Sequence, residues 1–510
     1  MPSAAPSLTP DTVHLEKDVQ LVYLCTLRTA ANESCRDMNN IKYASGNSNA
    51  DHHLTPFQIF LCKLAQICDT RRGGDTITAM VALKGTEGTK GPTYLFASNN
   101  RKEVELHGMK ELLVDLLSDV RNLGNLADKA LQRHVLWRVL EFGFDRVESH
   151  IRHLLDAIAG CIEKCSQRGE ASGSSTIMQL RQLEERAKFP CDMSGDNAKS
   201  KFLSDCSLLL KAIQSAKESN FGKTIEDRAR DEDPDASLPW RELRHHLGRL
   251  HSYRQAADSI VNVAKDRPEM VTNFTIDYIS SSKQVKLPMP RPSPSPPDLI
   301  QDAFPDLIID DYECELDDLR EHGLDRNIRV QLYLHQKMKR LVHCEVLLHD
   351  YLVRQKVDKP TKFWNDSMFI ATSKPPCRLC DYYFKAADNN FQVQSSHGNT
   401  YPRWRLPDIN KEEGAEAVER QQELLEEIVE QLELDTLKLL KEKEAQWKRW
   451  DSATGWRTAQ SVAPGPAGLG RGYAASSSGS PESVLGPSDG NGRSSSPADG
   501  SDYSDVGVAL

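Results

Sequence analysis

The feature that most constrains this chain is a pair of short motifs in its C-terminal half, His-x-Glu followed by Pro-Cys-x-x-Cys. The first begins at His343 and ends at Glu345, and the second runs from Pro376 to Cys380. A proline suits the start of a helix because its missing N–H has no intrahelical partner there. The second motif therefore predicts that Cys377 and Cys380 lie three residues apart on one face of a first helical turn. The segment between the motifs has room for one helix and one strand.

These residue types at this spacing indicate metal chemistry. Thiols at a helix N-terminus meet positive partial charge, which favours their thiolate forms. The thiolates of Cys377 and Cys380 and the imidazole of His343 make a three-ligand set suited to zinc, with the fourth tetrahedral position left open. Glu345 is then available as a proton acceptor and donor. Because residues i and i+2 of a regular helix point to different sides, we expect His343 at the entry to a helix rather than within it.

The two motifs in this order match the signature of the zinc nucleobase deaminases. The sequence resembles the cytidine-deaminase-like superfamily and, more narrowly, a group of fungal nucleic acid/nucleotide deaminases. In that group a Ser-Lys pair before the cysteines and a later His-Gly-x-x-Tyr-Pro-x-Trp segment recur, as in Ser373-Lys374 and the segment from His397 to Trp404 here. The close resemblance covers about residues 326–408, a minority of the chain.

The resemblance implies an α/β fold, a cytidine-deaminase-like three-layer α/β/α domain with a large mainly α-helical region inserted into it or N-terminal to it. It implies that His343, Cys377 and Cys380 bind Zn²⁺, which activates a water, and that Glu345 is the catalytic residue that moves the proton. The implied function is a zinc-dependent hydrolytic deaminase acting on a base of a nucleotide or nucleic acid. The predicted substrate-binding residues are Asn99, Ser373, His397, Arg403 and Trp404.

Plainer interpretations stay open for the same residues. The protein is alternatively a catalytically inactive deaminase-fold protein, an interaction or binding module whose structural zinc site is closed by a fourth protein ligand. Asn99 suits an ordinary turn, and Trp404 suits a core position beside the sheet. His245 and His246 are expected on a solvated or packed helix face. The candidate fourth ligands are Cys344, His349, His397 and Cys314.

The pattern of apolar, glycine and proline residues divides the chain into segments. Gly85 to Lys90 lacks the Gly-Lys-Ser/Thr ending of a phosphate-binding loop, so a hairpin turn explains its glycines better. The predicted segments are an N-terminal segment (1–53), a helix and β-hairpin that resemble the first strands of the deaminase sheet (54–100), a helical region (101–283), a Pro-rich linker (284–300), a deaminase-like zinc domain (301–410), a charged C-terminal helix (411–455) and a disordered tail (456–510).

Composition narrows the partners and the compartment. The 510 residues carry 64 Lys and Arg against 74 Asp and Glu, a net charge of -10, so nucleic-acid binding must depend on a local patch. No apolar run is long enough to span a bilayer, and Met1 to Asp11 lacks the features of a secretory signal. We therefore expect an intracellular protein, cytoplasmic or nuclear, that does not bind membranes. The helical region is a candidate surface for a protein partner, and the oligomeric state stays open.

Cysteine usage agrees with a reducing compartment. The 12 cysteines are spread along the whole chain instead of being concentrated in a small unit. Reduced thiols and a metal site explain this distribution better than a disulfide framework. Cys161 and Cys165 lie one helical turn apart without a second pair nearby in sequence, so we interpret them as buried thiols.

Overall fold

A computed structural model describes residues 12–38, 41–42, 54–85, 91–124, 126–231, 233–289, 293–387, 390–409 and 413–446. The helices are α1 (Thr12–Asp37), α2 (Pro56–Cys68), α3 (Glu103–Asn122), α4 (Asp128–Phe142), α5 (Phe144–Gln167), α6 (Ser175–Ala187), α7 (Asp196–Glu218), α8 (Asn220–Ala229), α9 (Pro234–Asp266), α10 (Pro296–Ala303), α11 (Glu313–Glu321), α12 (Leu324–Lys337), α13 (Cys344–Arg354), α14 (Arg378–Ala386) and α15 (Gly414–Glu442). The strands are β1 (Ile41–Lys42), β2 (Thr78–Lys84), β3 (Pro92–Ser98), β4 (Thr275–Ile279), β5 (Phe369–Thr372), β6 (Gln392–Val393) and β7 (Ala445–Gln446). The fold is therefore mixed α/β and mostly helical.

A five-stranded sheet joins distant parts of the chain, in the order β4-β3-β2-β5-β6. Strand β2 is antiparallel to both β3 and β5, while β4 runs parallel to β3 and β6 runs parallel to β5. Met80 of β2 lies opposite Ala371 of β5. The hairpin near the N-terminus thus shares one sheet with the strand that precedes the two cysteines. β1 and β7 form a separate parallel pair.

Successive side chains along β2 and β3 point to opposite faces of this sheet, and both faces are packed against helices. Met80 and Phe96 belong to a core that α2, α3 and the long helix α9 share with one face. Val81 and Leu95 point to the other face, where they pack with Leu348 of α13. Because both faces are buried, both strands read as nearly continuous apolar runs rather than as alternating ones.

Helices α3 to α9 occupy the predicted helical region 101–283, and β4 follows them. Helix α9 begins with Pro234 at its first position, and the Asp233 side chain accepts a hydrogen bond from the Asp235 N–H. A second proline, Pro239, lies inside α9, one residue before the fully buried Trp240. The predicted thiols of this region, including Cys161, are buried as expected.

Helix α1 was not recognised in the sequence of segment 1–53, which looks weakly patterned. Every residue from Gln20 to Leu27 is buried, so the helix has no polar face there to produce a period. Leu24 and Leu27 are completely inaccessible to solvent. Helices α12 and α15 and the neighbouring loops enclose α1, and this enclosure exists only in the folded chain.

Two predicted boundaries differ from the structure. Helix α10 begins at Pro296, inside the predicted Pro-rich linker, because Ser295 and Asp298 form a capping box around its first turn. The C-terminal helix is shorter than the predicted 411–455, since α15 ends at Glu442 and the next residue, Lys443, has a left-handed backbone with φ of 50°. The predicted disordered tail, 456–510, lies outside the described residues.

Within the described part of the chain, every helix is too short or too polar to cross a membrane.

Candidate active site

Two helix starts bring the three predicted ligands together. His343 is the N-cap residue of α13, with an extended backbone (φ -65°, ψ 146°). Cys377 is the N-cap of α14, and Cys380 lies in the first turn of that helix. Cys377 was expected one position later, inside the turn. Its extended backbone (φ -75°, ψ 171°) places it just before the helix, while its C=O accepts from the Asp381 N–H at 3.0 Å, as an N-cap carbonyl does.

The three ligand atoms form a tight triangle. The Nδ1 of His343 lies 3.6 Å from the Sγ of Cys377 and 3.3 Å from the Sγ of Cys380, and the two sulfurs are 3.5 Å apart. All three side chains are buried. Among the described residues, this is the one group of His, Cys, Asp and Glu side chains compact enough to hold a metal ion.

Charge is unevenly distributed within the triangle. Burial alone would raise the pKa of Cys377, but a hydrogen bond from Cys380 and the positive charge of His343 bring it well below the usual thiol range. Burial and the neighbouring Cys377 sulfur hold the pKa of Cys380 well above that range. Burial opposes protonation of His343, yet the charge on Cys377 raises its pKa above the usual value. The surroundings therefore favour a thiolate at Cys377, and a thiolate attracts a cation.

Glu345 lies in the first turn of α13, only 4% exposed. The thiol of Cys344 donates a hydrogen bond to its Oε2 at 3.3 Å. The Glu345 charge acts on the pKa of both His343 and Cys380, so this carboxylate lies beside the ligand triangle rather than on the far side of the helix. The structure thus brings the predicted proton carrier and the predicted ligands into one buried cluster.

Asn99 and Ser373 tie the ends of the sheet strands to the site. The Oδ1 of Asn99 accepts from the backbone N–H of Cys344 at 2.8 Å, and its Nδ2 donates to the C=O of Gly74 at 2.8 Å. The Oγ of Ser373 accepts from the N–H of Thr78 at 3.1 Å. Asn99 therefore contacts the first turn of α13, whereas Ser373 joins the end of β5 to β2, and both contacts are structural. Their assignment as substrate contacts stays a prediction.

The segment after α14 divides into residues near the site and one residue in the core. The charge of His397 acts on the pKa of Cys377, and that of Arg403 acts on His343, so both lie near the triangle. Arg403 also approaches Asp75, with Nη1 3.4 Å from Oδ1. Trp404 is only 1% exposed and lines a cavity of about 10 Å³ against α1. Its contacts are those of a core side chain.

The four candidates for a closing ligand lie outside the triangle's group. His349 directs its Nδ1 to the hydroxyl of Tyr383 at 2.9 Å. The Nδ1 of His397 accepts from the N–H of Asn399 at 3.0 Å, and the Cys344 thiol is directed at Glu345. Cys314 is exposed on α11. Three protein ligands are therefore gathered in the described residues, and no fourth His, Cys, Asp or Glu joins them.

A loop between α2 and β2, residues 69–76, borders the site and was not assigned a role from sequence. We call it the 69–76 loop. Asp69 is buried, accepts a hydrogen bond from the Thr76 hydroxyl at 2.7 Å and forms a buried ion pair with Arg146. Its charge acts on the pKa of Cys344, next to the candidate metal ligand His343. The available signal was an acidic residue directly after an apolar helix and shortly before the pair Gly73-Gly74.

Comparison with known proteins confirms the resemblance for one segment. Residues 342–408 match a family model described as "OTT_1508_deam-like deaminase". The matched segment contains the three residues of the ligand triangle, as well as Glu345 and Ser373. No curated protein and no solved structure matches the chain. The C-terminal part of this chain thus contains a deaminase-family domain, and its His343, Cys377 and Cys380 cluster could bind a metal.

Proposed function

We propose that this protein is a zinc-dependent hydrolase that deaminates a base in a nucleotide or nucleic acid. The observation that carries the proposal is the convergence of His343, Cys377 and Cys380, with Glu345 beside them, inside the segment that matches a deaminase family. Three protein ligands leave a tetrahedral metal one open position, which is the arrangement of catalytic rather than structural zinc.

The dimensions of the ligand triangle fit zinc. Zinc binds sulfur at about 2.3 Å and imidazole nitrogen at about 2.0–2.1 Å in tetrahedral geometry, so its ligand atoms should be roughly 3.6–3.8 Å apart. The edges of the triangle, 3.3 to 3.6 Å, approach this spacing without any rearrangement of the helices. When bound, zinc would act as a Lewis acid that lowers the pKa of a water toward about 7.

Glu345 would carry the proton in this reaction. Its carboxylate takes a proton from the attacking water and delivers it to the amino nitrogen of the base. A carbon–oxygen bond forms, the carbon–nitrogen bond breaks, and ammonia leaves. The burial of Glu345 excludes competing bulk water from this exchange, while Asn99 holds the first turn of α13 in place through the Cys344 N–H.

The arrangement around the sheet supports a finer fold assignment. Helices α2, α3 and α9 cover one face of the sheet and α13 covers the other. We infer from these two helical coverings a cytidine-deaminase-like three-layer domain. In this assignment helices α3 to α9 are an insertion between β3 and β4, which accounts for the length of the chain before the zinc motifs.

The decisive experiment is the isosteric substitution Glu345→Gln in the purified full-length protein. We expect the variant to keep its zinc, because Glu345 is not one of the three ligands, and to lose ammonia release by about 10³-fold, a typical loss for a proton carrier. Glu170→Gln is the control, since Glu170 is a partly buried carboxylate paired with Arg228 far along the chain. Loss of zinc from the Glu345 variant would show that this residue is structural.

The depth of the centre favours one competing function, a structural zinc site in an inactive deaminase fold that acts as an interaction module. Cys380 is fully buried and Cys377 is 2% exposed, as in structural sites. The Cys344 thiol, next to His343 in sequence, is the sulfur candidate to close such a site. X-ray absorption at the zinc edge separates the two functions: two sulfur scatterers support the enzyme, and three support the module.

A further inference from the structure

Four imidazoles meet where α5 and α9 pack together. His150 and His153 belong to α5, and His245 and His246 belong to α9. Their ring centroids are 5.0 to 6.3 Å apart, and the Nδ1 atoms of His150 and His246 approach to 3.2 Å. The sequence places His245 and His246 together, but the pairing with α5 arises only in the tertiary structure.

Arginines from the same two helices enclose these rings. Arg146 and Arg249 are 5% and 4% exposed, which is unusual for guanidinium groups. Arg146 pairs with Asp69 and also donates to the C=O of Arg71 at 3.1 Å. Arg72 approaches the Nε2 of His153 at 3.0 Å. We call the six residues of the two helices the basic cluster: Arg146, His150, His153, His245, His246 and Arg249.

The basic cluster is electrically suited to an anion. Burial and then the charges of Arg249 and Arg146 hold the pKa of His150 well below its usual value, which favours the neutral ring. The Nε2 of His150 is buried and has no hydrogen-bond partner among the residues that the structure describes. Asp69 already pairs with Arg146, and a carboxylate oxygen of Glu242 lies 3.5 Å from the Nε2 of His246. A bound anion would accept a hydrogen bond from the ring nitrogen that has no partner.

Lys374 connects the basic cluster to the candidate active site. It lies three residues before the ligand Cys377, and its charge acts on both His245 and Asp69. The 69–76 loop spans the same interval, since Asp69 pairs with Arg146 while Asp75 approaches Arg403. A Cβ atom added at Gly73 or Gly74 would meet nothing within 4 Å, so this loop borders open space.

We propose that the basic cluster and Lys374 bind a phosphate group of the substrate, so that the enzyme acts on a nucleotide unit and not on a nucleobase or nucleoside. This inference rests on the proposed deaminase function. Guanidinium, ammonium and imidazole N–H groups are the donors that proteins use for phosphate. A cation would be repelled by Arg146 and Arg249, and the basic cluster is not among the described groups that could hold a metal.

The test compares three variants of the full-length, zinc-loaded protein. Lys374→Gln and His245→Gln each remove one donor of the proposed phosphate site. Lys385→Gln is the control and removes an exposed lysine of α14 that pairs with Asp381. Calorimetric titration with inorganic phosphate and with nucleoside 5′-monophosphates measures binding without reference to chemistry. We expect about tenfold weaker binding in each cluster variant, because each loses one charge-assisted or N–H contact, and unchanged binding in Lys385→Gln.

Kinetics with matched substrates give a second readout. For a nucleoside 5′-monophosphate or a short single-stranded oligonucleotide, we expect KM to rise about tenfold in Lys374→Gln while kcat stays within a factor of two. For the corresponding nucleoside, we expect the variant and the wild type to be equally poor. Whichever of the monophosphate and the oligonucleotide shows the larger change identifies the source of the phosphate.

The outcomes separate this inference from the proposed function. Phosphate binding that weakens in Lys374→Gln, in a protein that releases ammonia from no substrate, supports the phosphate site and refutes the deaminase. Ammonia release that is equally efficient from nucleoside and nucleotide overturns the phosphate site and retains the deaminase. Absence of phosphate binding in the wild type, or a second metal ion that is lost in His245→Gln, also overturns it.

Discussion

The ligand triangle and the basic cluster use the same imidazole group in opposite electrical surroundings. In the triangle, His343 faces two sulfurs, and the negative charge on Cys377 raises its pKa. In the basic cluster, burial first and then the charges of Arg249 and Arg146 hold the pKa of His150 well below the usual value. The neighbours of a histidine therefore decide whether it suits a metal ligand or a donor to an anion, and the residue type alone assigns neither role.

The 69–76 loop keeps these two centres apart and also links them. Asp69 neutralises Arg146 on the side of the basic cluster, and its charge reaches Cys344 on the side of the triangle. Gly74 accepts from Asn99, which in turn holds the first turn of α13. If the two centres act on one substrate, this loop sets the distance between the base and its phosphate.

The largest expected effect is on metal content. Cys380→Ser should lower bound zinc from about one ion per chain to less than about a tenth, since a serine hydroxyl is a far poorer zinc ligand than a thiolate. His246→Gln, in the basic cluster, should leave the content unchanged. Elemental analysis after gel filtration measures both. Equal zinc loss in the two variants would contradict the proposal that the ligand triangle binds zinc and the basic cluster does not.

A large effect on stability is expected from Asp69→Asn. Removing one partner of a buried ion pair leaves the other charge uncompensated, so the free energy of unfolding should fall by about 3–5 kcal/mol. Denaturant unfolding at pH 7.5 measures the change. Glu141→Gln, which breaks the surface pair with Lys199, should have a far smaller effect. Similar losses of stability in both variants would show that the buried pair of Asp69 and Arg146 stabilises the fold no more than a surface pair does.

Acid should destabilise the basic cluster. The pKa of His150 is lowered first by burial and then by Arg249, Arg146, His246 and His245, so below about pH 6.5 the unfolded chain binds a proton that the folded chain rejects. Stability contributed by the neutral ring is complete above that pH and is lost as pH falls, by up to about 1.4 kcal/mol per pH unit.

His150→Gln tests this dependence. Between pH 7.5 and pH 5 the variant should lose less stability than the wild type, because it lacks the proton taken up on unfolding. Denaturant titrations at several pH values give both curves. Parallel curves would show that the His150 ring is already accessible to protons in the folded protein.

The smallest expected effect concerns the connection between the sheet and α13. Asn99→Ala removes the acceptor for the Cys344 N–H, the first backbone donor of that helix, and should cost about 1 kcal/mol, as the loss of a cap does. Asn99→Asp keeps an acceptor at the same place and should cost less. Thermal unfolding measures the loss of stability in each variant. If Asn99→Ala also abolishes activity while stability is kept, the predicted substrate role of Asn99 is supported over the structural one.

Local patterns in the sequence located both helix starts of the site, although α14 begins at Arg378 rather than at Pro376. The pairing of Pro376 with two cysteines three residues apart depends only on the geometry of one helical turn, and His343 lies at a helix entry as its spacing from Glu345 requires. Helix α1 could not be found in this way, because its burial by α12 and α15 removes the polar face on which periodicity depends.

The sequence by itself determined which side chains could hold a metal ion and which carboxylate could carry a proton, because those properties belong to the residue types and to a single turn of helix. Only the tertiary structure decided that Trp404 fills the core against α1, that the hairpin near the N-terminus pairs with the strand before Cys377, and that His150 meets His246. Contacts between distant segments depend on how helices and strands pack, and packing is a property of the whole fold rather than of any short stretch of chain.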